Sequence, residues 1–129
     1  MEKDLGNAVP REDGGGKSRQ NYLLSALEED ILTVLLGREL YGLQISQAIE
    51  DSSDGRRKIN VSSLYPSLRR LEEKEFVTSY WEINDVNINS KGEERGGARR
   101  RYYRITPTGS KVLNESREVR EKLLRWMPV

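Results

Sequence analysis

The sequence predicts an α+β fold in which three helices and a two-stranded hairpin precede a C-terminal helix. Leu64, Leu68 and Leu71 are spaced by four and three residues, which places them on one face of a helix. β-Branched and aromatic residues dominate segment 77–83, and segment 99–105, RRRYYRI, is interpreted as a second strand. A long polar loop containing glycine joins these two segments. Helix, strand, basic loop and strand in this order are typical of a winged helix-turn-helix domain.

At 129 residues, the chain has room for one small domain and short tails. The composition predicts a disordered N-terminal arm over residues 1–21, the winged helix-turn-helix domain over 22–106 and a C-terminal helix over 107–129. No apolar run approaches the roughly 18 residues of a membrane span, and the first residues lack the apolar stretch of a signal peptide. We therefore expect a cytoplasmic protein without a membrane partner.

The residue types on which many enzymes and metal sites depend are missing. The chain has no Cys and no His, which excludes thiolate chemistry and removes the commonest general base near neutral pH. Carboxylates can bind a hard cation, but the Asp and Glu residues are scattered over predicted helix faces. The sequence shows no nucleophile–base pair, phosphate-binding loop or metal cluster. An enzyme is therefore the least expected class, and no cofactor or metal is predicted.

Two amphipathic helices are predicted before the helix that contains Leu64. Ser25 and Glu28 form the S-x-x-E pattern of a capping box, and Gly37 fits a C-cap for the first helix. The second helix is predicted over about residues 41–51, where Gly42 favours close packing. The two helices are expected to bury Leu27, Ile31, Val34 and Leu35 in the first and Leu43, Ile45, Ala48 and Ile49 in the second.

The helix predicted over residues 60–74 has the features of a DNA-recognition helix. Its first turn is small and rich in hydroxyl groups, and Asn60, Ser62 or Ser63 can cap it. An Arg pair one turn later supplies donors for phosphate or guanine. The residues expected near DNA are Lys58, Ser62, Ser63, Tyr65, Pro66, Arg69 and Arg70. The alternatives are a core position for Tyr65, which is favoured, and an ordinary core helix with a solvated Arg pair.

The hairpin is the most basic part of the chain. Five Arg fall within ten positions without an acidic residue among them, namely Arg95, Arg99, Arg100, Arg101 and Arg104. Arg is attracted to phosphates and to the minor groove. The alternative is an edge hairpin kept soluble by its charge, but such surfaces normally mix both signs. We therefore expect these five side chains to contact DNA.

The last helix is predicted to start with Thr106 as N-cap and Pro107 at the first helical position. Apolar positions then recur every four and three residues in a short heptad seam of Val112, Ser116, Val119, Leu123 and Trp126. Leu113, Arg120 and Leu124 line a second, weaker face. Such a helix packs on a partner or on the first helix of its own domain, and both arrangements are possible on different faces.

Charge is unevenly distributed, although the net charge is only +1. Segment 22–54 carries seven acidic residues and one basic residue, whereas segment 91–104 carries six basic and two acidic residues. This separation would orient the chain on a polyanion. Lys17 and Arg19 in the N-terminal arm offer a further DNA contact, but the balanced charge of the arm favours a plain tail.

Four stretches of sequence carry a resemblance to a known family. They are YGLQI at 41–45, SSLYPSLRRLEEKEFV at 62–77, Trp81, and ARRRYYRITPTG at 98–109. In this order, the chain resembles the PadR family of transcriptional regulators over roughly residues 27–124. One departure is Glu75, where family members usually carry Gly, so that a side chain would occupy a left-handed turn. Within the family, the chain resembles the clock-associated Pex proteins of cyanobacteria.

The resemblance implies a homodimer that binds double-stranded promoter DNA, with repression as its effect. In the family, the C-terminal helix forms the dimer, which would assign the seam from Val112 to Trp126 to the interface. Two-fold symmetry then predicts a roughly palindromic operator. Some relatives bind ligands between their terminal helices, so a small-molecule effector stays open here, with Trp126 as its only support. The likeness to Pex implies circadian control of clock genes.

The rival hypothesis is a protein-interaction module. A winged helix can lose DNA binding and keep its dimer, since a fold does not fix a function. The acidic first helices would then form the interaction surface. Neutralising the five arginines of the hairpin separates the two hypotheses, because only DNA binding depends on them.

Overall fold

The computed structural model of the chain describes residues 22–82 and 99–129. These residues form four helices and three strands, which are α1 (Ala26–Val34), β1 (Leu40–Tyr41), α2 (Gly42–Ser52), α3 (Val61–Glu73), β2 (Val77–Trp81), β3 (Arg101–Ile105) and α4 (Pro107–Arg125). The expected α+β fold is confirmed, with the helix-turn-helix pair α2–α3 followed by the hairpin β2–β3. The predicted N-terminal arm, Arg95 and the tip of the hairpin lie outside the described residues.

The three strands form an antiparallel sheet in the order β1–β3–β2. Tyr103 of the central strand is paired with Leu40 on one side and with Ser79 on the other. Tyr103 is buried whereas Arg104 is exposed, so one face of the sheet covers the core and the other faces solvent. Strand β1 was not predicted, because two residues are too few to show an alternating pattern.

The core lies between the helices and the inner face of the sheet. Its fully buried side chains include the predicted leucine stripe of α3, formed by Leu64, Leu68 and Leu71. Leu43, predicted to be buried, is 58% exposed. The reason is its place on α2, where Gly42, Ile45 and Ile49 form the buried side with spacings of three and four.

The predicted helix starts are largely confirmed. Ser25 Oγ accepts from the N–H of Glu28, and the Glu28 carboxylate accepts from the N–H of Ser25, which completes the capping box of α1. Thr106 Oγ1 accepts from the N–H of Gly109 at the start of α4. Asn60 takes the N-cap position of α3, but its side chain makes no capping hydrogen bond to a described residue.

Helix α3 ends in a left-handed turn at Glu75, whose φ is +66°. The N–H of Phe76 donates to the carbonyl of Leu71, and the N–H of Glu75 donates to that of Glu72, both at 2.9 Å. These two hydrogen bonds define a Schellman motif. The expected left-handed turn at position 75 is therefore confirmed, and a glutamate adopts there the backbone conformation that Gly adopts without strain.

Helix α4 has two parts with different surroundings. In the first part, Val112 and Leu113 are buried in the core, and a Cβ on Gly109 would overlap the carbonyl oxygen of Phe76. In the second part, Leu123 and Trp126 are 70% and 69% exposed. The helix predicted to start after residue 106 is thus anchored in the domain by its first turns and projects from it by its last ones.

Candidate nucleic-acid interface

The outer face of α3 is small and uncharged at its start and carries one cation further along. Ser62, Pro66 and Arg69 follow one another at intervals of four and three, so they share a face opposite the buried leucines. Ser62 and Ser63 are exposed, and Val61 is 58% exposed. A helix surface of this kind can approach a groove closely, since neither bulk nor negative charge prevents it.

The start of α3 also offers backbone groups. Pro66 has no N–H, which deprives the carbonyl of Ser62 of its usual partner four residues on. The N–H groups of the first turn receive no acceptor from the Asn60 side chain. Such N–H groups, together with the helix dipole, favour an anion at this end.

Tyr65 belongs to the packing of the domain, the position favoured for it from the sequence. Its ring is half-buried and lies against the core. A Cβ on Gly42 would overlap the Tyr65 hydroxyl, so the glycine allows α2 and α3 to approach each other at this point. The expectation that Gly42 permits close helix packing is confirmed.

The two arginines of α3 have different surroundings. Arg70 Nε lies 3.6 Å from the carboxylate of Glu28, and Arg70 also donates to Ser67 Oγ at 3.1 Å. Because Glu28 is only 2% exposed, Arg70 neutralises a charge that α1 removes from water. Arg69 and Lys58 are exposed and form no ion pair with any residue of the described ranges. They are therefore the available cations beside the first turns of α3.

On the side of the hairpin that faces α3, two guanidinium groups lie close to the ring of Trp81. Arg99 and Arg101 lie 5.4 Å and 5.3 Å from the centre of the indole ring. Arg101 Nε also donates to Ser79 Oγ at 2.9 Å, and its NH2 group lies 3.5 Å from the carboxylate of Glu72. The indole, which is 49% exposed, thus holds two predicted DNA-contacting side chains together.

On the opposite side of the sheet, three tyrosine rings cover the strands. The rings of Tyr80 and Tyr102 are stacked with centres 5.6 Å apart, and Tyr41 meets Tyr102 edge-on at 5.5 Å. Arg100 lies 5.0 Å from the centre of the Tyr41 ring and 3.6 Å from the carboxylate of Glu82. Arg100 is thereby placed on the face away from Arg99 and Arg101.

Glu39 links the loop after α1 to this outer face. Its carboxylate lies 3.5 Å from Arg104 and accepts a hydrogen bond from the Tyr80 hydroxyl. That hydrogen bond raises the pKa of Tyr80 above its ordinary value, because the carboxylate favours the protonated phenol. Burial raises the pKa of Tyr103, on the inner face, in the same direction.

Four of the seven acidic residues in segment 22–54 are paired with cations from other elements, which reduces the expected charge contrast between this segment and the basic hairpin. Asp30 lies 2.7 Å from Arg57, and Glu29 forms an ion pair with Arg120 of α4. With Glu28 and Glu39 paired as described, these carboxylates neutralise cations from other elements. Sequence reasoning missed these pairs because their partners are distant along the chain.

The predicted dimer seam on α4 is divided. Val112 is 5% exposed and packs in the core of its own domain. Ser116 Oγ donates to the carboxylate of Glu29, which fixes α4 on α1, so the alternative of intramolecular docking is realised in this part. Val119, Leu123 and Trp126 remain exposed beyond it, at 49%, 70% and 69%.

An open cleft of about 320 Å³ lies between α1 and α2, with Val34 and Ile49 among its lining residues and Asp30 and Arg57 bridging beside it. Trp126 does not line this cleft. Across residues 22–82 and 99–129, no group of three or more acidic side chains could hold a metal ion. In the same ranges, no helix combines the length and apolar character needed to cross a membrane.

Comparison with known proteins connects this geometry to a family. The sequence profile of the transcriptional regulator PadR-like family matches residues 31–115. An uncharacterised protein of Lysinibacillus sphaericus is 32% identical over 97 residues, covering 75% of this chain and 80% of that protein. A transcriptional regulator of Clostridium thermocellum matches with a TM-score of 0.61 at 30% identity, covering 75% of this chain and 86% of that chain.

Among solved structures, Bacillus subtilis PadR in complex with operator DNA is also similar. Its TM-score is 0.54 at 22% identity, with 81% of this chain and 50% of that chain covered. At this identity the likeness establishes the shared fold.

Proposed function

Because the chain belongs to the PadR-like family of transcriptional regulators, we propose that it binds promoter DNA as a homodimer and represses transcription from it. The observation that carries the proposal is the outer face of α3, small and uncharged at its start, beside an arginine-bearing hairpin. We call this hairpin, β2 and β3 with the loop between them, the wing. The Bacillus subtilis relative, solved with operator DNA, has the same fold.

In the proposed complex, the first turns of α3 enter the major groove, as in other helix-turn-helix proteins. Ser62, Ser63 and Pro66 face the bases, Arg69 and Lys58 contact flanking phosphates, and Tyr65 supports them from behind. Arg70 contributes through its contact with Glu28, which keeps α3 seated on α1. The wing lies on the backbone or in the minor groove through Arg95, Arg99, Arg100, Arg101 and Arg104.

The exposed end of α4 supports the homodimer. Val119, Leu123 and Trp126 would leave water when two copies pair. Two-fold symmetry would then place two α3 helices in successive major grooves, with half-sites about 10 base pairs or a multiple apart. Repression would follow from occupancy of the promoter and a cytoplasmic location from the function. Control of clock genes is supported by the resemblance to Pex proteins alone.

The test is binding of the full-length protein to its own upstream DNA and to a scrambled duplex in a series of KCl concentrations. We expect preference for the upstream DNA and an affinity that falls with salt, by about 0.9 in log–log slope for each phosphate neutralised. Replacing Arg99, Arg100 and Arg101 by Ala should reduce that slope. The matched control replaces three exposed cations of α4, Lys111, Arg117 and Lys122, by Ala.

Three outcomes are informative. A smaller slope in the wing variant but not in the α4 variant supports contact between wing and phosphate. Equal binding to both duplexes supports DNA contact and means that the operator lies outside the upstream DNA tested. Absence of binding to either duplex at low salt contradicts the proposal and favours the protein-interaction module.

A further inference from the structure

Arg101 of the wing is held by a carboxylate of α3. Arg101 Nε donates to Ser79 Oγ at 2.9 Å, and Ser79 Oγ donates to one oxygen of Glu72 at 2.7 Å. The other oxygen of Glu72 lies 3.5 Å from the Arg101 NH2 group. The three side chains close a ring that joins the C-terminal half of α3 to both strands of the wing.

A carboxylate and a DNA phosphate accept hydrogen bonds from the same N–H donors of an arginine. Both present two oxygens to the fork of N–H groups on a guanidinium, so one can replace the other. The side chains of Arg101 and Glu72 are 41% and 36% exposed, which leaves the pair accessible to an incoming phosphate. The Trp81 ring, whose centre lies 5.3 Å from the guanidinium, would keep Arg101 in place after it leaves Glu72.

We propose that Glu72 is an internal competitor for phosphate at Arg101 and thereby limits the affinity of the wing for DNA. Arg101 contacts Glu72 in the free protein and exchanges it for a backbone phosphate in the complex. This inference rests on the proposed function, because it describes a device within the DNA-binding surface. It assigns to an acidic residue of α3 a role in DNA affinity without any contact between that residue and DNA.

The neighbouring residue provides a matched control. Glu73 lies next to Glu72 on α3 and is exposed, and its side chain forms no hydrogen bond or ion pair with any residue in 22–82 or 99–129. Glu72→Gln and Glu73→Gln therefore change the net charge equally, but only the first releases Arg101. The glutamine at position 72 retains an oxygen that can accept from Ser79, so the fold should persist. Thermal unfolding of both variants checks this.

The expected gain does not depend on base sequence, because phosphate contacts carry no sequence information. One further phosphate neutralised by each protomer, and so two by the dimer, steepens the log–log salt slope by up to about 1.8, which at about 0.1 M KCl corresponds to roughly ten- to sixtyfold tighter binding. Glu72→Gln should show this gain with the upstream duplex and with the scrambled duplex alike. Glu73→Gln should show a smaller change and the wild-type slope.

A double-mutant cycle makes the test specific to the pair. In an Arg101→Gln background, Glu72→Gln should no longer tighten binding, because the cation that it releases is absent. A gain that persists in that background, or an equal gain in Glu73→Gln, would overturn the inference and leave net charge as the cause. Wild-type protein that binds DNA without any gain in Glu72→Gln also overturns it. Wild-type protein that binds no duplex overturns the proposed function itself.

Discussion

Glu28 joins three parts of the chain at a single carboxylate. It accepts hydrogen bonds from the Tyr22 hydroxyl at 2.7 Å and from the N–H of Ser25 at 2.8 Å. Arg70 of α3 supplies the opposite charge. The capping box is visible in the sequence because its residues are three apart, whereas the contacts with Tyr22 and Arg70 arise only in the folded chain.

Tyr22 should therefore contribute to stability in a pH-dependent way. Burial first, and then the hydrogen bond to Glu28, raise the pKa of its hydroxyl. A group with a raised folded-state pKa stabilises the fold fully below its unfolded pKa, and that contribution is lost as pH rises through the folded pKa. We expect Tyr22→Phe to lower the free energy of unfolding by roughly 1–3 kcal/mol at neutral pH, and to flatten its decline above about pH 10.

Urea denaturation at neutral and alkaline pH measures both effects. Tyr102→Phe is the control, because no described residue accepts a hydrogen bond from its hydroxyl. Equal losses in the two variants at neutral pH would argue against the role given to the Tyr22–Glu28 hydrogen bond.

Position 75 tests the cost of a left-handed turn. Glu75→Gly and Glu75→Ala both remove the side chain, so any difference between them comes from the backbone. Since φ is +66°, we expect the Gly variant to be more stable than the Ala variant by about 1 kcal/mol. Chemical denaturation of the two proteins gives this difference, and an Ala variant as stable as the Gly variant would be incompatible with strain at the turn.

At the scale of the elements, long periodic patterns were sufficient to predict the helices. The leucines of α3 repeat over a whole face, and the cap of α4 is marked by a Thr-Pro pair. The sequence could not predict β1, which is defined by pairing with β3, or the exposure of Leu43, which depends on the side that α2 turns to α3. It also could not show that α4 changes its surroundings halfway along.

Helix α4 packs at Gly109 against Phe76, in the turn between α3 and β2. Because an added Cβ would overlap the backbone carbonyl of Phe76, we expect Gly109→Ala to lower the free energy of unfolding by roughly 2–3 kcal/mol. Ser110→Ala, one residue further and exposed, should change it by less than about 0.5 kcal/mol. Thermal unfolding of both variants compares them, and similar values would mean that α4 shifts easily on the sheet.

At the scale of the whole molecule, the sequence identified the charged side chains of the candidate site but not their partners. The arginines of the wing were recognisable from their density, and the outer face of α3 from its helical spacing. The structure adds that Arg100, Arg101 and Arg104 each lie near a carboxylate. Those pairs unite segments distant in the chain, so composition suggested a more open positive surface than the fold presents.

The proposed dimer gives a prediction at this scale. Leu123→Lys combined with Trp126→Ala should convert the dimer into a monomer, because the two changes remove apolar surface that the dimer would bury. The helix should persist, since Val112 and Leu113 anchor it. DNA affinity should fall at least about tenfold as two-site binding is lost. Sedimentation measures the mass, circular dichroism measures the helix content, and titration with the duplex measures the DNA affinity, with Lys122→Ala as control. An unchanged mass would place the interface elsewhere.

The proximity of Trp81 to Arg99 and Arg101 has a consequence for observing DNA binding by this protein. The chain contains two tryptophans, one on the wing and the other just beyond α4. In a Trp126→Phe variant, tryptophan emission comes from the wing alone, and it should change when the neighbouring guanidinium groups turn to a phosphate. In a Trp81→Phe variant, emission follows the pairing of two chains. Trp81 can therefore report on DNA binding and Trp126 on dimerisation, each by its own fluorescence.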